Sequence, residues 1–364
     1  MKICTVTCHN ALNHGARLQA CALLHYLNGL GHTAEVVDYR PDYMSFRDKV
    51  WYRPAVSVKE WAKLFLRLRQ RMDSVCRYEN FEKFSDRFIP RTGRTYGSVG
   101  ELQAAPPQAD VYIAGSDQIW NTSFRNGTDA AYYLDFGTPE TKRISYAASF
   151  ALSSLNPECE PFVKAHLAAF DSISVRESSG LKILSSLGFS GCTSVDPVFL
   201  LPAAEWDTLL GCRDSAERYI LVYDVMGGCK MIKRVAKRLA KLSGCKIYSI
   251  GSIRLGYASE NFTQAAPDKF VELVRNARCV VSNSFHGTAF AMIYHREFFV
   301  VDRADGLNER MHDLLSQSGL QSRLADVHTP DSVLNERISY KEVDNLLHRQ
   351  IAESEKFLRE TLSR

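Results

Sequence analysis

Long apolar runs are missing from this sequence. No stretch approaches the ~20 consecutive apolar residues of a membrane-spanning helix, and the first residues carry no extended apolar signal region. Neither export nor a membrane span is expected; the expected compartment is the cytoplasm, with the inner face of the membrane as an alternative place of work. Paired cysteines are missing too. The ten cysteines include no CxxC. Cys4 and Cys8 are close, but a zinc site needs four converging ligands and no second pair follows. Cys21, Cys245 and Cys279 fall in apolar runs, as small core residues of a reducing compartment do. No ligand cluster stands out, so no metal is expected. A dominant charge is also lacking: 45 Lys and Arg stand against 41 Asp and Glu, a net of +4. That balance permits anionic ligands or anionic lipid and gives no reason to expect nucleic acid. Low-complexity segments and internal repeats are absent beyond a βα rhythm.

What is there is an ordinary globular composition, 45% hydrophobic over 364 residues. That length exceeds one typical core, so two domains are expected. The βα rhythm begins at once. Ile3 to Thr7 reads as a strand and His9 to Gly15 as a polar turn. A helix follows to about Asn28, with Ala20, Leu23, Leu24 and Leu27 on one face, and Ala34 to Tyr39 is the next strand. Pro41 to about Arg94 breaks the rhythm. There, Lys59 to Cys76 has a helical pattern with Trp61, Phe65, Leu68, Met72 and Val75 on one side and Lys59, Lys63, Arg67 and Arg71 on another. Such a basic amphipathic helix is either a surface helix over a core or a face for anionic membrane. Further strands are expected at Asp110 to Ala114, Ile144 to Phe150 and Ser172 to Val175. A second strand–helix series starts at Tyr219. It includes a helix from Lys230 to Leu242 with Ile232, Val235, Leu239 and Leu242 inward, and a helix opened by Pro267. Ser339 to about Leu362 reads as a long closing helix.

The chain is organised around Cys279 to Asp302. The apolar run Cys279-Val280-Val281 breaks at Ser282-Asn283-Ser284, and His286-Gly287-Thr288 opens a helix before a second apolar run, Phe298 to Val301. That is one βαβ unit with a His at the turn. In an open parallel sheet such turns face the ligand crevice, and the helix N-terminus offers N–H groups to an anion. A second stretch, Gly115 to Asn121, presents a carboxylate, an amide and an indole after a strand. This set suits a sugar, with Asp117 able to take a proton from a hydroxyl. The plainer alternative is an Asp capping a helix and a Trp in the core. Arg176, at a strand end, is either an anion clamp or a salt-bridge partner.

These stretches carry a resemblance. S-x-S-F-H-G-T at 282–288 and G-S-D-Q-x-W-N at 115–121 resemble the polysaccharide pyruvyl transferase family. So do Asn13-His14-Gly15-Ala16 with Leu18-Gln19, S-Y-A-A-S-F at 145–150, Ser-x-Arg-Glu ending at Glu177, and D-P-x-x-L at 196–200. The Asp196-Pro197 step is expected to be structural. The resemblance implies an α/β protein with two Rossmann-like doubly wound domains facing a cleft, the GT-B-like arrangement. It also implies pyruvyl transfer from phosphoenolpyruvate to two hydroxyls of a polysaccharide precursor, giving a cyclic ketal. Residues 1–210 would form the acceptor-side domain, with a helical insertion at about 42–95. Residues 211–335 would form the donor side, and 336–364 a helix packing back toward the first domain. His286 and Asp117 are the catalytic candidates. Ser282, Ser284, Gly287, Thr288, Arg176 and Arg310 would bind the donor. Asn13, Gly15, Gln19, Ser116, Gln118, Trp120 and Asn121 would bind the acceptor, a sugar for which a lipid-linked form is one option. Phosphoenolpyruvate would be a co-substrate, with no cofactor. Other family members carry Arg-Leu before the equivalent His, where Ser284-Phe285 stand here. Another arginine would then hold the donor: Arg176, Arg296, Arg303 or Arg310. Two alternatives share these features: a nucleotide-sugar-dependent glycosyltransferase of GT-B type, and a non-catalytic carbohydrate-binding protein.

Overall fold

A computed structural model describes residues 1–44, 68–303 and 308–363. Two parallel sheets organise them. The first contains β1 (Lys2–Val6), β2 (Thr33–Tyr39), β3 (Arg91–Tyr96), β4 (Val111–Ala114) and β5 (Lys142–Ser145), in the order β3-β2-β1-β4-β5. Two short strands, β6 (Ser174–Val175) and β7 (Cys192–Thr193), pair with each other, and bridges such as Ile144 to Ser172 continue the sheet toward them. The second contains β8 (Tyr219–Tyr223), β9 (Lys246–Ile250), β10 (Glu260–Phe262), β11 (Cys279–Ser282) and β12 (Glu297–Val300), in the order β10-β9-β8-β11-β12. Each order reverses once, between β1 and β4 and between β8 and β11. Ligands of doubly wound sheets bind beyond the strand ends at such reversals. The strands are apolar on both faces because helices cover both; β4 and β8 are buried throughout. These are two Rossmann-like doubly wound domains facing a cleft.

The domains share part of their core. One apolar cluster joins Ile3, Leu24 and Val36 of the first to Leu221, Phe270 and Val280 of the second. Polar pins cross as well. His14 Nδ1 lies 3.3 Å from Tyr223 Oη, and its Nε2 lies 3.0 Å from Ala265 O. Asp73 pairs with Arg254 at 3.0 Å and accepts from Thr263 at 2.9 Å. The closing helix, Tyr340–Ser363, buries Val343, Leu347 and Leu358. Its Ser354 Oγ accepts from Val195 N at 2.9 Å, and Lys142 Nζ donates to Thr361 O, so it lies against the first sheet's side of the molecule. No helix among the described residues is long and apolar enough to cross a membrane.

Some expectations change. The segment expected as helical insertion up to about residue 95 ends in β3, which bends onto the sheet edge with Thr92 and Tyr96 inward and Gly93 to Thr95 exposed. An edge strand with so few inward residues has no period-2 apolar signature. The helix expected from Lys59 to Cys76 lies outside the described residues up to Arg67. Its described part belongs to a longer helix, Leu68–Phe88, which buries Phe81 and Phe84 and leaves Met72 61% exposed rather than inward. Leu242, expected inward, is likewise exposed at the end of the Lys230–Ser243 helix. The strand expected through Phe150 stops at Ser145. The chain there turns through Ala147 at φ +47°, held by a hydrogen bond from Ala147 N to Ser174 Oγ.

Candidate active site

The loops at both sheet reversals meet. From the second domain comes the first turn of the helix Phe285–Ile293. Ser284 caps it by accepting from Gly287 N, and Ser282 Oγ accepts from Ser284 N at 3.0 Å while donating to Tyr223 O at 2.7 Å. This hydroxyl ladder fixes the turn and sends the His286 imidazole toward the first domain. There it packs on Gly15, where a β-carbon would stand only 1.9 Å from Nδ1. Its Nε2 lies 3.3 Å from Asp196 Oδ2, without an aligned hydrogen bond.

Asp196 is the fully buried carboxylate that faces the imidazole from the first domain. Asp196 has three duties: Oδ1 accepts from Val198 N at 3.1 Å, and Oδ2 faces both His286 and Arg176. Burial pushes its pKa up, but His286 and Arg176 outweigh burial and hold it below the usual carboxylate range. The sequence suggested a structural Asp-Pro step, and it is one, through the cap. Its second oxygen, which faces His286 and Arg176, is what sequence reasoning missed; D-P-x-x-L was the available signal.

Two arginines converge on the same place. The Arg176 guanidinium lies 4.7 Å from the Phe285 ring centre and that of Arg310 5.9 Å from it. Both are buried. Burial and the neighbouring Arg176 charge push Arg310 down to about 10, a sign of poorly compensated positive charge. Burial also acts on Arg176, but Asp196, Asp117 and Glu177 outweigh it and raise its pKa. Asp117, at φ +76°, turns its carboxylate to face them at 3.6 Å from Arg176 Nη2 and 3.8 Å from Arg310 Nη1. Asp tolerates this left-handed backbone better than most residues. Those separations exceed a hydrogen bond. Arg176 Nε and Nη2, Glu177 Oε2 and His286 Nε2 are buried without a hydrogen-bond partner. Such groups call for a ligand or water. Of the four arginines considered as donor clamps, Arg176 and Arg310 stand beside His286. Arg303 lines a small cavity next to Arg310. Arg296 follows the far end of the His286 helix, near Arg218, Arg275 and Tyr340.

The other expected site residues divide. Gln118 lies with its amide 3.1 Å from Arg310 Nη1, and Asn13 caps the first helix by accepting from Ala16 N. Gly15 and Gly287 are required by close packing, on His286 and on Ser282 with Tyr223. The hydroxyls of Ser282, Ser284 and Thr288 are committed to the turn itself. Trp120 is corrected: it is fully buried, stacked on Tyr133 at 5.5 Å with Nε1 donating to Tyr132 O, so no ring face is free for a sugar. Asn121 is equally buried, accepting from Ser123 N. Gln19 and Ser116 are a satisfied latch rather than acceptor contacts. Gln19 Oε1 accepts from Ser116 N and its amide donates to Thr7, while Ser116 Oγ donates to Ala147 O. Core packing won at these positions because Gly115 to Asn121 is an interior turn.

Two facing doubly wound domains, with His286 and Asp117 at the two sheet reversals and Arg176 and Arg310 drawn in beside them, define a GT-B-like protein with an interdomain candidate site. The polysaccharide pyruvyl transferase family model matches residues 13–305, and the chain belongs to that family. Among solved structures, the spinosyn rhamnosyltransferase SpnG complexed with spinosyn aglycone is 12% identical, with 100% of each chain covered and a TM-score of 0.48. The UDP-N-acetylglucosamine 2-epimerase from Rickettsia bellii is 12% identical, covering 100% of this chain and 96% of that one, with a TM-score of 0.47. No curated protein sequence matches the chain.

Proposed function

We propose that this chain transfers the pyruvyl group of phosphoenolpyruvate to two hydroxyls of a sugar in a surface or capsular polysaccharide precursor, in the cytoplasm and without a metal. The observation that carries this reading is the meeting of His286, Arg176, Arg310 and Asp117 at one interdomain point. The donor is a phosphate and a carboxylate on one enol carbon, and paired guanidinium groups suit both. His286, held against Asp196, protonates the methylene carbon and leaves an oxocarbenium-like centre at C2. One sugar hydroxyl adds to C2 and gives its proton to Asp117. The second hydroxyl then attacks C2, the C2–O bond to phosphate breaks, and the ketal ring closes as phosphate leaves and a base takes the last proton. The site is dry enough for the arginine charges to count for more than they would in water.

The test is phosphate release from phosphoenolpyruvate with a panel of acceptor oligosaccharides. Release should require both substrates and persist with chelator present. It should fall at least ~100-fold in His286→Ala, with a cooperative thermal transition retained to show that the fold survives. Turnover of a nucleotide sugar in place of phosphoenolpyruvate would assign a glycosyltransferase instead. Sugar binding indifferent to His286→Ala, without turnover of either donor, would assign a binding protein.

A further inference from the structure

Beside the candidate site the cleft holds a second cavity of ≈ 570 Å³, lined by Asn10, Tyr43, Arg77, Phe124 and Arg125 from the first domain and by Tyr223 from the second, among others. It adjoins the site at two places. Asn126, which follows Arg125, donates from Nδ2 to Gln118 O at 2.7 Å, next to Asp117. Asn13 lines the cavity, and Gly15, two residues on, carries the His286 imidazole.

The chemistry of the lining is unbalanced. Arg77 is 8% exposed; Nη2 donates to Leu12 O at 3.3 Å, but Nε is buried with no partner. Arg125 lies with its guanidinium 4.8 Å from the Tyr43 ring centre. Among the described residues no carboxylate forms an ion pair with either arginine. The nearby Asp129 carboxylate is engaged by the hydroxyls of Tyr39 and Tyr43, at 2.7 and 2.6 Å. Asn10 Oδ1 is also buried without a partner. The Arg77 guanidinium also lies over the Phe81 ring, 5.2 Å from its centre, but a buried N–H and a buried carbonyl without partners both cost free energy unless something in the cavity bonds to them. Phe124, 48% exposed, offers an aromatic face at the cavity wall.

We infer that this cavity is the acceptor subsite and that it selects a sugar bearing an anionic group, a phosphate or a carboxylate, held by Arg77 and Arg125. Asn10 accepts from a sugar hydroxyl, and Phe124 packs on the ring's C–H surface. The word acceptor rests on the proposed transferase; the anion preference does not.

Calorimetry with glucose, glucuronate and glucose 1-phosphate, at low and physiological salt, tests it directly. The charged sugars should bind at least ~10-fold more tightly than glucose, the scale of one charge-assisted hydrogen bond. That preference should disappear in Arg125→Gln and weaken in Arg77→Gln. If Arg77→Gln does not fold, Arg125→Gln decides alone. Whichever charged sugar binds better identifies phosphate or carboxylate as the group read. Equal binding of all three, no binding of any, or a preference that survives Arg125→Gln would overturn the inference. Phosphoenolpyruvate binding, measured on the same samples, keeps the two readings apart. Its absence alongside a charged-sugar preference removes the transferase reading and leaves the anion cavity standing.

Discussion

A β-carbon on Gly15 would stand 1.9 Å from Nδ1 of His286 and 2.1 Å from its Cγ. Two effects compete in Gly15→Ala. Alanine favours a helix first turn over glycine by ~1 kcal/mol, while overpacking costs ~1–3 kcal/mol. Net destabilisation should therefore stay under about 2 kcal/mol, but the imidazole must move. Displacing a catalytic group by about 1 Å costs roughly 100-fold, so turnover should fall by that factor while the thermal midpoint drops only a few degrees. Unchanged turnover would show that the position of His286 does not depend on this contact, and a midpoint collapse would show that Gly15 serves the fold rather than the placement of the ring. Asp196→Asn tests the other side of the same ring. It removes the buried carboxylate closest to Arg176, the largest of the charges that compensate that guanidinium, and should cost ~3–5 kcal/mol at pH 7. The folded pKa of Asp196 is depressed. Its contribution is therefore complete above the unfolded carboxylate value of about 3.9 and is lost as pH falls below it toward the lowered folded value. Urea unfolding of wild type and variant should differ at pH 7 and converge as the pH falls through 3. A gap independent of pH would mean the carboxylate charge is not what stabilises. His286 and Asp117 were legible in the sequence because each follows a strand and opens a turn. The role of Asp196 was not, because its partners Arg176 and His286 lie 20 and 90 positions away and only folding brings them near.

Elements were legible in proportion to the apolar stripe they carry. The helices His14–Gly29 and Pro267–Asn276 start where the polar turn and the proline place them. Edge strand β3 was not legible, because an edge needs few inward side chains. Tyr340–Ser363 shows how a stripe reports on packing. Leu358 is fully buried, whereas Leu346 of the same helix is 37% exposed. Leu358→Ala should cost about 2–5 kcal/mol in urea unfolding, and Leu346→Ala should stay within about 0.5 kcal/mol. Equal effects would mean that this helix is not docked as described. Through Ser354 and Thr361 it reaches the chain around Val195 and Lys142, one residue from Asp196 in the first case. The closing helix therefore supports the loop that carries Asp196.

At the scale of the molecule, the site exists only where the domains meet. Asp117, Arg176 and Asp196 come from the first, His286 and Arg310 from the second, and the shared apolar cluster with the His14 and Asp73 pins sets their spacing. The larger cavity is likewise bounded by both domains. By itself the sequence determined the alternation of strands and helices, the two doubly wound halves and the turns that carry the candidate site residues His286 and Asp117. These follow from local periodicity and from residues such as Ser284 and Pro267 that act on their neighbours. Only the tertiary structure decided which side chains of a turn face the cleft. Asp117 and Trp120 are three positions apart, and one faces two arginines while the other is core. It also decided which arginines stand beside His286 and gave Asp196 its second duty, because charge pairing and burial depend on separations in space that local sequence does not encode.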